Sequence, residues 1–359
     1  MGGQRRERGG RKRRLKKRQG LLYQRILREI ENKIQAHSNY ADIHNQMALL
    51  LMAQGDMERV EGHLQEAIRL NPKYREAILN LSFLYIQKER WKEAEEILLA
   101  QAQREPRNGF LQHILGIFYL QRGRRKEAWF RIKKAIRLNP YYRDYYQKRG
   151  IWREGRVQID KKSERFLKRI ELNYYYAQFH NFIGLYLARE GQSTQAIREL
   201  KKAAKLMPDE FLFHSNLGTV YYHQGVYRKA IEAYKKALQI DPLYGIGYAN
   251  LSYIYGLMRR TREALRYMEK AVQLNPRYAD LHYNLALLYS DQKRYGKAIF
   301  ELKKALRINP NYLFARINLG VIYEDQKKWK EAKREYQKIL KITPEDEHVR
   351  RRLERISRL

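Results

Sequence analysis

The stretch HSNLGTVYYHQGVYRKAIEAYKKALQIDP at residues 214–242 decides how this chain folds. Leu217 and Tyr221 stand four residues apart in its first half, and Ala230 and Tyr234 do so in its second half. That spacing places each pair on one face of a helix, and a glycine between the two halves favours a turn. The stretch therefore predicts a first helix (helix A), a tight turn and a second helix (helix B), closed by a proline.

The closing proline recurs along the chain with one period. Proline lacks a backbone N–H and its ring clashes with the preceding turn, so it ends helices. Successive prolines are 34 residues apart, except for one interval of 68. A fixed period in this range predicts a solenoid of stacked helical hairpins. The eight prolines are Pro72, Pro106, Pro140, Pro208, Pro242, Pro276, Pro310 and Pro344.

The residues before each proline repeat the same pattern of large and small side chains. One such unit reads Gln112, Leu115, Gly116, Tyr119, Gly123, Ala128, Ile132, Ala135 and Pro140, and another reads Arg316, Leu319, Gly320, Tyr323, Ala332, Tyr336 and Pro344. The pattern resembles the tetratricopeptide repeat, W-x₂-L-G-x₂-Y…A-x₃-F…P. Units of this kind begin near Ala41, Arg75, Gly109, Ala177, Phe211, Gly245, Ala279 and Leu313. The resemblance implies an all-α fold, a right-handed superhelical solenoid of antiparallel helix-turn-helix repeats.

One repeat departs from the pattern. Arg149 and Arg153 occupy core-type positions, and Tyr174 stands where a proline is due. Burying an unpaired arginine is costly, so this unit is expected to pack differently, with a longer loop around residues 153–161. Drift in a tolerant array and a specialised docking insert both explain it. The predicted organisation is a basic tail (1–20), a capping helix (21–40), repeats 1–3 (41–142), a degenerate repeat or insert (143–176), repeats 5–9 (177–344) and a second capping helix (345–359).

A stripe on helix A opposite the core is apolar where a merely solvated face would be polar. Contiguous apolar surface marks an interaction site, and in the family that the chain resembles this stripe lines the concave groove for partner peptides or helices. An apolar or mixed segment is the expected ligand. Asparagine recurs within the stripe and either contacts the partner backbone or bridges adjacent helices. The predicted groove residues are Asn80, Phe83, Phe110, Ile117, Leu212, Asn216, Ile246, Asn250, Tyr253, Leu257, Asn284, Phe314, Asn318 and Val321.

The net charge of +35, from 74 Lys and Arg against 39 Asp and Glu, predicts a polyanionic partner. An acidic protein or assembly is the leading hypothesis, nucleic acid the alternative and docking on an anionic membrane the third. Two groups of residues are predicted to bind it. The tail supplies Arg5, Arg6, Arg8, Arg11, Lys12, Arg13, Arg14, Lys16, Lys17 and Arg18, and doubled lysines on helix B supply Lys133, Lys134, Lys201, Lys202, Lys235, Lys236, Lys303 and Lys304.

Catalysis is not expected. Cysteine is absent, which excludes disulfides and thiolate metal sites, and the motifs G-x-S-x-G, H-E-x-x-H and a phosphate-binding glycine loop are missing. His44, His180, His214 and His282 share one repeat position, which indicates packing. No apolar run is long enough for a membrane span, and cytoplasmic location is expected. The sequence thus predicts a non-catalytic scaffold for protein–protein interaction that needs no cofactor, metal or small-molecule substrate.

Overall fold

The computed structural model describes residues 20–159 and 161–358. Helices in this part of the chain are α1 (residues 20–36), α2 (Ala41–Gln54), α3 (Met57–Leu70), α4 (Arg75–Gln87), α5 (Trp91–Arg104), α6 (Gly109–Gln121), α7 (Arg125–Leu138), α8 (Tyr141–Lys148), α9 (Lys161–Arg189), α10 (Ser193–Leu206), α11 (Phe211–His223), α12 (Tyr227–Ile240), α13 (Gly245–Leu257), α14 (Thr261–Leu274), α15 (Ala279–Asp291), α16 (Tyr295–Ile308), α17 (Leu313–Asp325), α18 (Trp329–Ile342) and α19 (Glu347–Ser357). Two short antiparallel strands, β1 (Trp152–Arg153) and β2 (Arg156–Val157), form a hairpin. The predicted all-α repeat architecture is confirmed.

The chain divides into two compact units, Met1–Val220 and Tyr221–Leu359. In unit 1 the hairpins α2–α3, α4–α5 and α6–α7 precede α8, the strands, α9 and α10. In unit 2 the hairpins α13–α14, α15–α16 and α17–α18 follow α12 and precede α19. Helix A packs on helix B within each hairpin, and helix B packs on the next helix A. Within each unit, neighbouring hairpins therefore share a core.

The turn from helix A to helix B contains one residue in the left-handed region. At the four glycine positions φ lies between 68° and 85°, and at the four others it is 57–58°. A residue in this conformation ends a helix because its N–H bonds back to a carbonyl of the last turn. These eight residues keep the 34-residue register. They are Gly55, Glu89, Gly123, Gly191, Gly225, Arg259, Lys293 and Lys327.

The turn that contains the closing proline is held by the side chain of the residue before the proline. Asn309 Oδ1 accepts a hydrogen bond from the backbone N–H of Asn311 at 3.1 Å, with Pro310 between them. An Asx turn of this kind offers the backbone an alternative to continuing the helix. The same bond is formed by Asn71, Asn139 and Asp241.

Small residues on helix A let the two helices of a hairpin approach closely. A Cβ atom added to Gly320 would lie 2.6 Å from the ring of Tyr336, and one added to Gly116 would lie 2.8 Å from Ile132. Neither distance is compatible with the observed packing. The glycine in the repeat pattern is thus required by helix contact.

The irregular repeat differs from its neighbours because its second turn is missing. After the β1–β2 hairpin, α9 begins at Lys161 and runs for 29 residues, past position 174 where the period calls for proline. With tyrosine there, nothing stops the helix. The helix B segment of this repeat and the next helix A are therefore one continuous helix. Where a longer loop was expected, around residues 153–161, the described residues form the β1–β2 hairpin and a short connection to α9, which begins at Lys161.

Both ends of the described chain bury apolar side chains. Ile26 and Ile30 of α1 are buried, as are Val349 and Ile356 of α19. Asp346 caps α19, since its side chain accepts a hydrogen bond from the N–H of Val349 at 3.0 Å. The predicted basic tail lies outside the described residues, apart from Gly20. The division into tail, caps and repeats stays a proposal.

Candidate partner-binding site

The inner face of unit 1 is covered by the chain itself. Helix α9 lies against α2, α4 and α6, the three A helices whose apolar stripe was expected to be open. Tyr176 and Phe179 of α9 line a small cavity together with Leu49 and Met52 of α2. At the end of α9, the Tyr186 hydroxyl donates to Glu29 of α1 at 2.7 Å. Four predicted groove residues are buried in consequence: Asn80, Phe83, Phe110 and Ile117.

A buried ion pair anchors the segment that follows α10 to this face. Arg75 Nη2 of α4 lies 2.9 Å from Glu210 Oε2, and Glu210 is almost completely buried. The guanidinium also lies over the rings of Phe110 and Phe211, at 5.0 and 5.6 Å. Burial raises the pKa of Glu210, against the opposing effect of Arg75. Removing one partner would leave the other charge buried, so the pair holds this segment firmly in place.

A second anchor is a buried hydrogen-bonded cluster inside the same unit. His113 Nε2 of α6 lies 2.9 Å from Asp209 Oδ2, and His113 Nδ1 lies 2.7 Å from the Tyr146 hydroxyl of α8. Tyr142 stacks on the imidazole at 4.8 Å. Burial raises the pKa of Asp209, but the hydrogen bond and charge of His113 outweigh it and the pKa is lowered. Because His113, Asp209 and Tyr146 are all buried, this cluster holds α6, α8 and the Asp209 segment together and is not accessible to a substrate.

Sequence reasoning did not identify Asp209 and Glu210, although a signal was present. Each closing proline except Pro106, Pro208 and Pro344 is followed two residues later by tyrosine. Pro208 is followed instead by Asp209 and Glu210. Two adjacent carboxylates follow one other proline, Pro344, where Glu345 and Asp346 precede the last helix, so within the repeat array Asp209 and Glu210 mark a local specialisation. The structure shows that this specialisation faces inward.

The inner face of unit 2 is open. Ile246 and Leu257 of α13 are 59% and 56% exposed, and Phe314 of α17 is 65% exposed. Tyr253 of α13 is also exposed, while Val321 of α17 is half-buried. These five residues belong to the predicted groove set. They form an apolar surface on two helices that flank α15.

Hydrogen bonds join the A helices of unit 2 side by side. Asn284 Nδ2 of α15 donates to the Tyr253 hydroxyl of α13 at 2.7 Å, and Asn318 Nδ2 of α17 donates to the Tyr283 hydroxyl of α15 at 3.3 Å. The recurring asparagines thus bridge adjacent helices, one of the two interpretations that the sequence left open. In unit 1 the same register bridges Asn80 to Asn45 and Asn216 to Asn181, each at 2.8 Å. Leu212, Asn216, Asn250, Asn284 and Asn318 are half-buried.

The doubled lysines of helix B divide into two kinds. The first lysine of each pair is exposed, namely Lys133, Lys201, Lys235 and Lys303. The second is half-buried and lies near its own helix: Lys202 Nζ is 2.7 Å from Glu199, and Lys236 Nζ is 3.2 Å from Gln239. Only half of the predicted lysine set is therefore fully presented to solvent. The tail residues predicted alongside them lie outside the described residues.

Family profiles match the sequence across both units. A profile described as tetratricopeptide repeat matches residues 51–115 and 289–356, and two others with that description match 212–244 and 258–313. A further profile, described as TPR repeat, matches residues 184–225. Together the matched ranges cover more than half of the chain. The chain belongs to the tetratricopeptide repeat family. The glycine, alanine and proline positions described above are those of this repeat, and no curated protein matches the sequence.

Among solved structures, tetratricopeptide proteins are similar to parts of this chain. MamA is 30% identical over 44% of this chain and 93% of its own, with a TM-score of 0.42. YrrB, described as a TPR protein with an unusual peptide-binding site, is 21% identical over 51% and 95%, with a TM-score of 0.44. TTC0263, a TPR protein of Thermus thermophilus, is 27% identical over 51% and 100%, with a TM-score of 0.37. With TM-scores this low, the family assignment rests on the profiles.

Two other kinds of feature are absent from the described residues. No helix there combines the length and the apolar character needed to cross a bilayer. No cluster of three or more His, Asp or Glu side chains in residues 20–159 and 161–358 has the arrangement of a metal site.

Proposed function

We propose that the inner face of unit 2 is a docking site for a segment of a partner protein, and that the chain is a non-catalytic scaffold. The observation that carries the proposal is the exposure of Ile246, Tyr253, Leu257 and Phe314 on A helices that asparagine–tyrosine bonds hold side by side. Ile246, Tyr253 and Leu257 stand seven and four residues apart and so share one face of α13, and exposed apolar side chains grouped in this way are costly to leave in water. A partner segment that covers them would gain from their burial.

The polar groups around these residues indicate the character of the segment. Asp280 of α15 is exposed one period after Ile246, and Asp291 of α15 and Asp325 of α17 are exposed one and two periods after Leu257. Carboxylates accept hydrogen bonds from lysine, arginine or backbone N–H groups. We infer that the segment is an apolar or mixed peptide or helix, with basic residues among its apolar ones.

The proposal is confined to unit 2. In unit 1 the corresponding face is filled by α9 and by the segment that contains Asp209 and Glu210. A partner would have to displace a buried ion pair, which costs several kcal/mol, about 3–5 when one member is left unpaired. We therefore propose that the inner face of unit 1 does not bind a partner segment.

The basic surface is proposed to contact an acidic partner or assembly. Nine of the 35 formal charges come from residues 1–19, which leaves 26 on the rest of the chain. Charge of this size accelerates encounter with any polyanion and is weakened by salt. Nucleic acid is the second candidate, favoured by the exposed aromatic side chains Trp129 and Phe130 of α7. Docking on an anionic membrane is the third.

A peptide library displayed on phage tests the docking site. Selection on the full chain should enrich a family of peptides, and Ile246→Ala/Tyr253→Ala/Leu257→Ala should reduce their affinity about thirtyfold or more, as expected for central interface residues. Ile246 and Leu257 are exposed and their truncation should change stability little, so Ile246→Ala/Leu257→Ala repeats the test without breaking the hydrogen bond between Asn284 and Tyr253. Phe300→Ala is the control, since Phe300 is equally exposed but lies on helix B. Unchanged affinity of the triple variant would exclude this face as the docking site.

A further inference from the structure

The solvent face of α7 carries two adjacent exposed aromatic side chains. Trp129 is 37% and Phe130 57% exposed, and both lie on helix B, whose core face is occupied by Ala128 and Ile132. The Trp129 indole N–H donates to the carbonyl of Gly155 at 3.1 Å, in the turn of the β1–β2 hairpin. The hairpin thus fixes the indole in one orientation at the surface. No such hairpin accompanies the other repeats that the structure describes.

Positive charge surrounds this aromatic pair. Lys126, Lys133 and Arg137 are exposed at positions that place them on the same side of α7, over about 16 Å at 1.5 Å per residue. Lys133 Nζ lies 4.6 Å from the centre of the Trp129 ring. In the described part of the chain, no carboxylate lies within ion-pair distance of these three cations. Glu127, which neighbours Lys126, pairs with Arg124 at 2.8 Å.

We propose that this surface, made of Trp129, Phe130, Lys126, Lys133 and Arg137 and here named the α7 platform, binds single-stranded nucleic acid. Exposed aromatic rings provide planes on which unpaired bases stack, and the flanking cations neutralise the phosphates between them. Every base has a π-face, so the binding is tolerant of sequence. A duplex keeps its bases stacked and offers the rings only its backbone.

The chemistry of the α7 platform favours nucleic acid over a lipid surface. Helices that lie in a membrane interface insert a broad apolar face of Leu, Phe and Trp. On α7 the exposed large hydrophobic residues are Trp129 and Phe130, with no exposed aliphatic residue beside them. Two rings among cations match a stacking site, whereas they provide little surface for insertion into lipid.

The chain contains a matched comparison residue. Phe300 of α16 stands five periods after Phe130 in the same register, is 58% exposed and has Lys304 Nζ 4.3 Å from its ring centre. Its preceding neighbour is the half-buried Ile299, and no strand follows its hairpin. Phe300 therefore reproduces a single exposed ring with its cation but lacks the second, fixed ring.

Fluorescence anisotropy of a short labelled oligouridine on the full chain tests the proposal. Trp129→Ala/Phe130→Ala should raise the Kd about tenfold or more, the effect expected for loss of stacked bases. The slope of log K against log salt should stay the same, because no charge is removed and the basic tail still contributes. Phe300→Ala should leave the Kd unchanged. Circular dichroism of each variant checks that the helices are retained, and Phe130→Ala alone, which breaks no hydrogen bond, repeats the test at lower structural risk.

Two further measurements separate stacking from charge. Oligouridine should quench the tryptophan fluorescence of the wild-type chain, and Trp129→Phe should lose that quenching while it keeps most of the affinity. Lys126→Gln/Lys133→Gln/Arg137→Gln should lower the salt slope by about 2, at roughly 0.7 for each phosphate contact on a single strand.

Three outcomes would overturn the proposal. The first is an unchanged Kd for oligouridine in Trp129→Ala/Phe130→Ala, which would mean that the tail or other basic surface binds the strand. The second is an equal loss in Phe300→Ala, which would remove any special role of the α7 platform. The third is that the double variant loses binding to phosphatidylserine vesicles while oligouridine binding is unaffected, which would identify a lipid-docking surface instead.

Discussion

One pair of side-chain positions, 19 residues apart, ties helix A to helix B in several repeats. His282 places Nδ1 2.5 Å from Glu301 Oε2 and Nε2 3.0 Å from the carbonyl of Pro276. Arg316, one period later, donates to Glu335 at 2.9 Å and to the Pro310 carbonyl. Both residues link the helix B carboxylate to the proline turn. The histidines at this position are therefore structural, which agrees with the packing role that the sequence indicated.

His180 and Glu199 occupy the same two positions in unit 1, and this pair predicts that stability depends on pH. Burial raises the pKa of Glu199, but hydrogen bonds from His180 at 2.6 Å and Lys202 at 2.7 Å outweigh it, so the pKa is lowered. A folded-state pKa below the unfolded value of about 4.3 means that the ionised carboxylate stabilises the fold above that pH. This contribution is lost as the pH falls through the folded pKa.

Glu199→Gln should therefore lower the free energy of unfolding by about 1–2 kcal/mol at pH 6. The difference from the wild type should shrink as the pH falls below the unfolded carboxylate pKa of about 4.3, where the wild-type residue also becomes neutral. Urea unfolding, followed by circular dichroism at pH 6 and at a pH below about 4.3, measures this difference in the free energy of unfolding. A difference that stays constant as the pH falls would show that the carboxylate charge is not what stabilises this contact.

At the scale of the helices, the 34-residue period explains most of what could be predicted. Proline, asparagine before it and glycine within helix A are local signals, so the hairpins follow from the sequence. The course of α9 does not, because it depends on contacts with helices that are distant along the chain. Tyr174 indicated only that a stop signal was missing. It did not indicate that α9 would cover the inner face of unit 1 and bury Phe83, Phe110 and Ile117.

The turn between helices A and B predicts where the chain can be stabilised. Lys293 has φ 57°, in the register where Gly225 has φ 71°. A side chain in the left-handed region costs about 1 kcal/mol or more, which glycine avoids. Lys293→Gly should therefore raise the free energy of unfolding by about 1 kcal/mol, and Gly225→Ala should lower it by a similar amount. Urea unfolding measures both.

Lys293→Ala is the matched control for this turn, because alanine keeps the Cβ atom that causes the strain. It should leave stability close to that of the wild type. If Lys293→Ala were as stabilising as Lys293→Gly, the gain would come from removing a positive charge and backbone strain would not be its cause.

At the scale of the whole molecule, the charge and the aromatic surfaces make separable contributions to binding. The net charge acts on any polyanion and sets how strongly binding responds to salt. The inner face of unit 2 and the α7 platform have apolar contact surface, which responds weakly to salt. A partner that needs both kinds of surface would bind with an affinity that falls as salt rises and reaches a plateau set by the apolar contacts.

Deletion of residues 1–19 separates these contributions for single-stranded nucleic acid. The segment holds ten Lys and Arg and one Glu, so the formal charge falls from +35 to +26. The slope of log K against log salt should become shallower by as much as about 7 if all ten cations contact phosphates. Oligouridine should still bind the shortened chain at low salt, because the α7 platform and the remaining charge are intact. Adding Trp129→Ala/Phe130→Ala to the deletion should then weaken binding with no further change in slope. Loss of all binding on deletion alone would instead assign recognition to the tail and leave the folded repeats as its support.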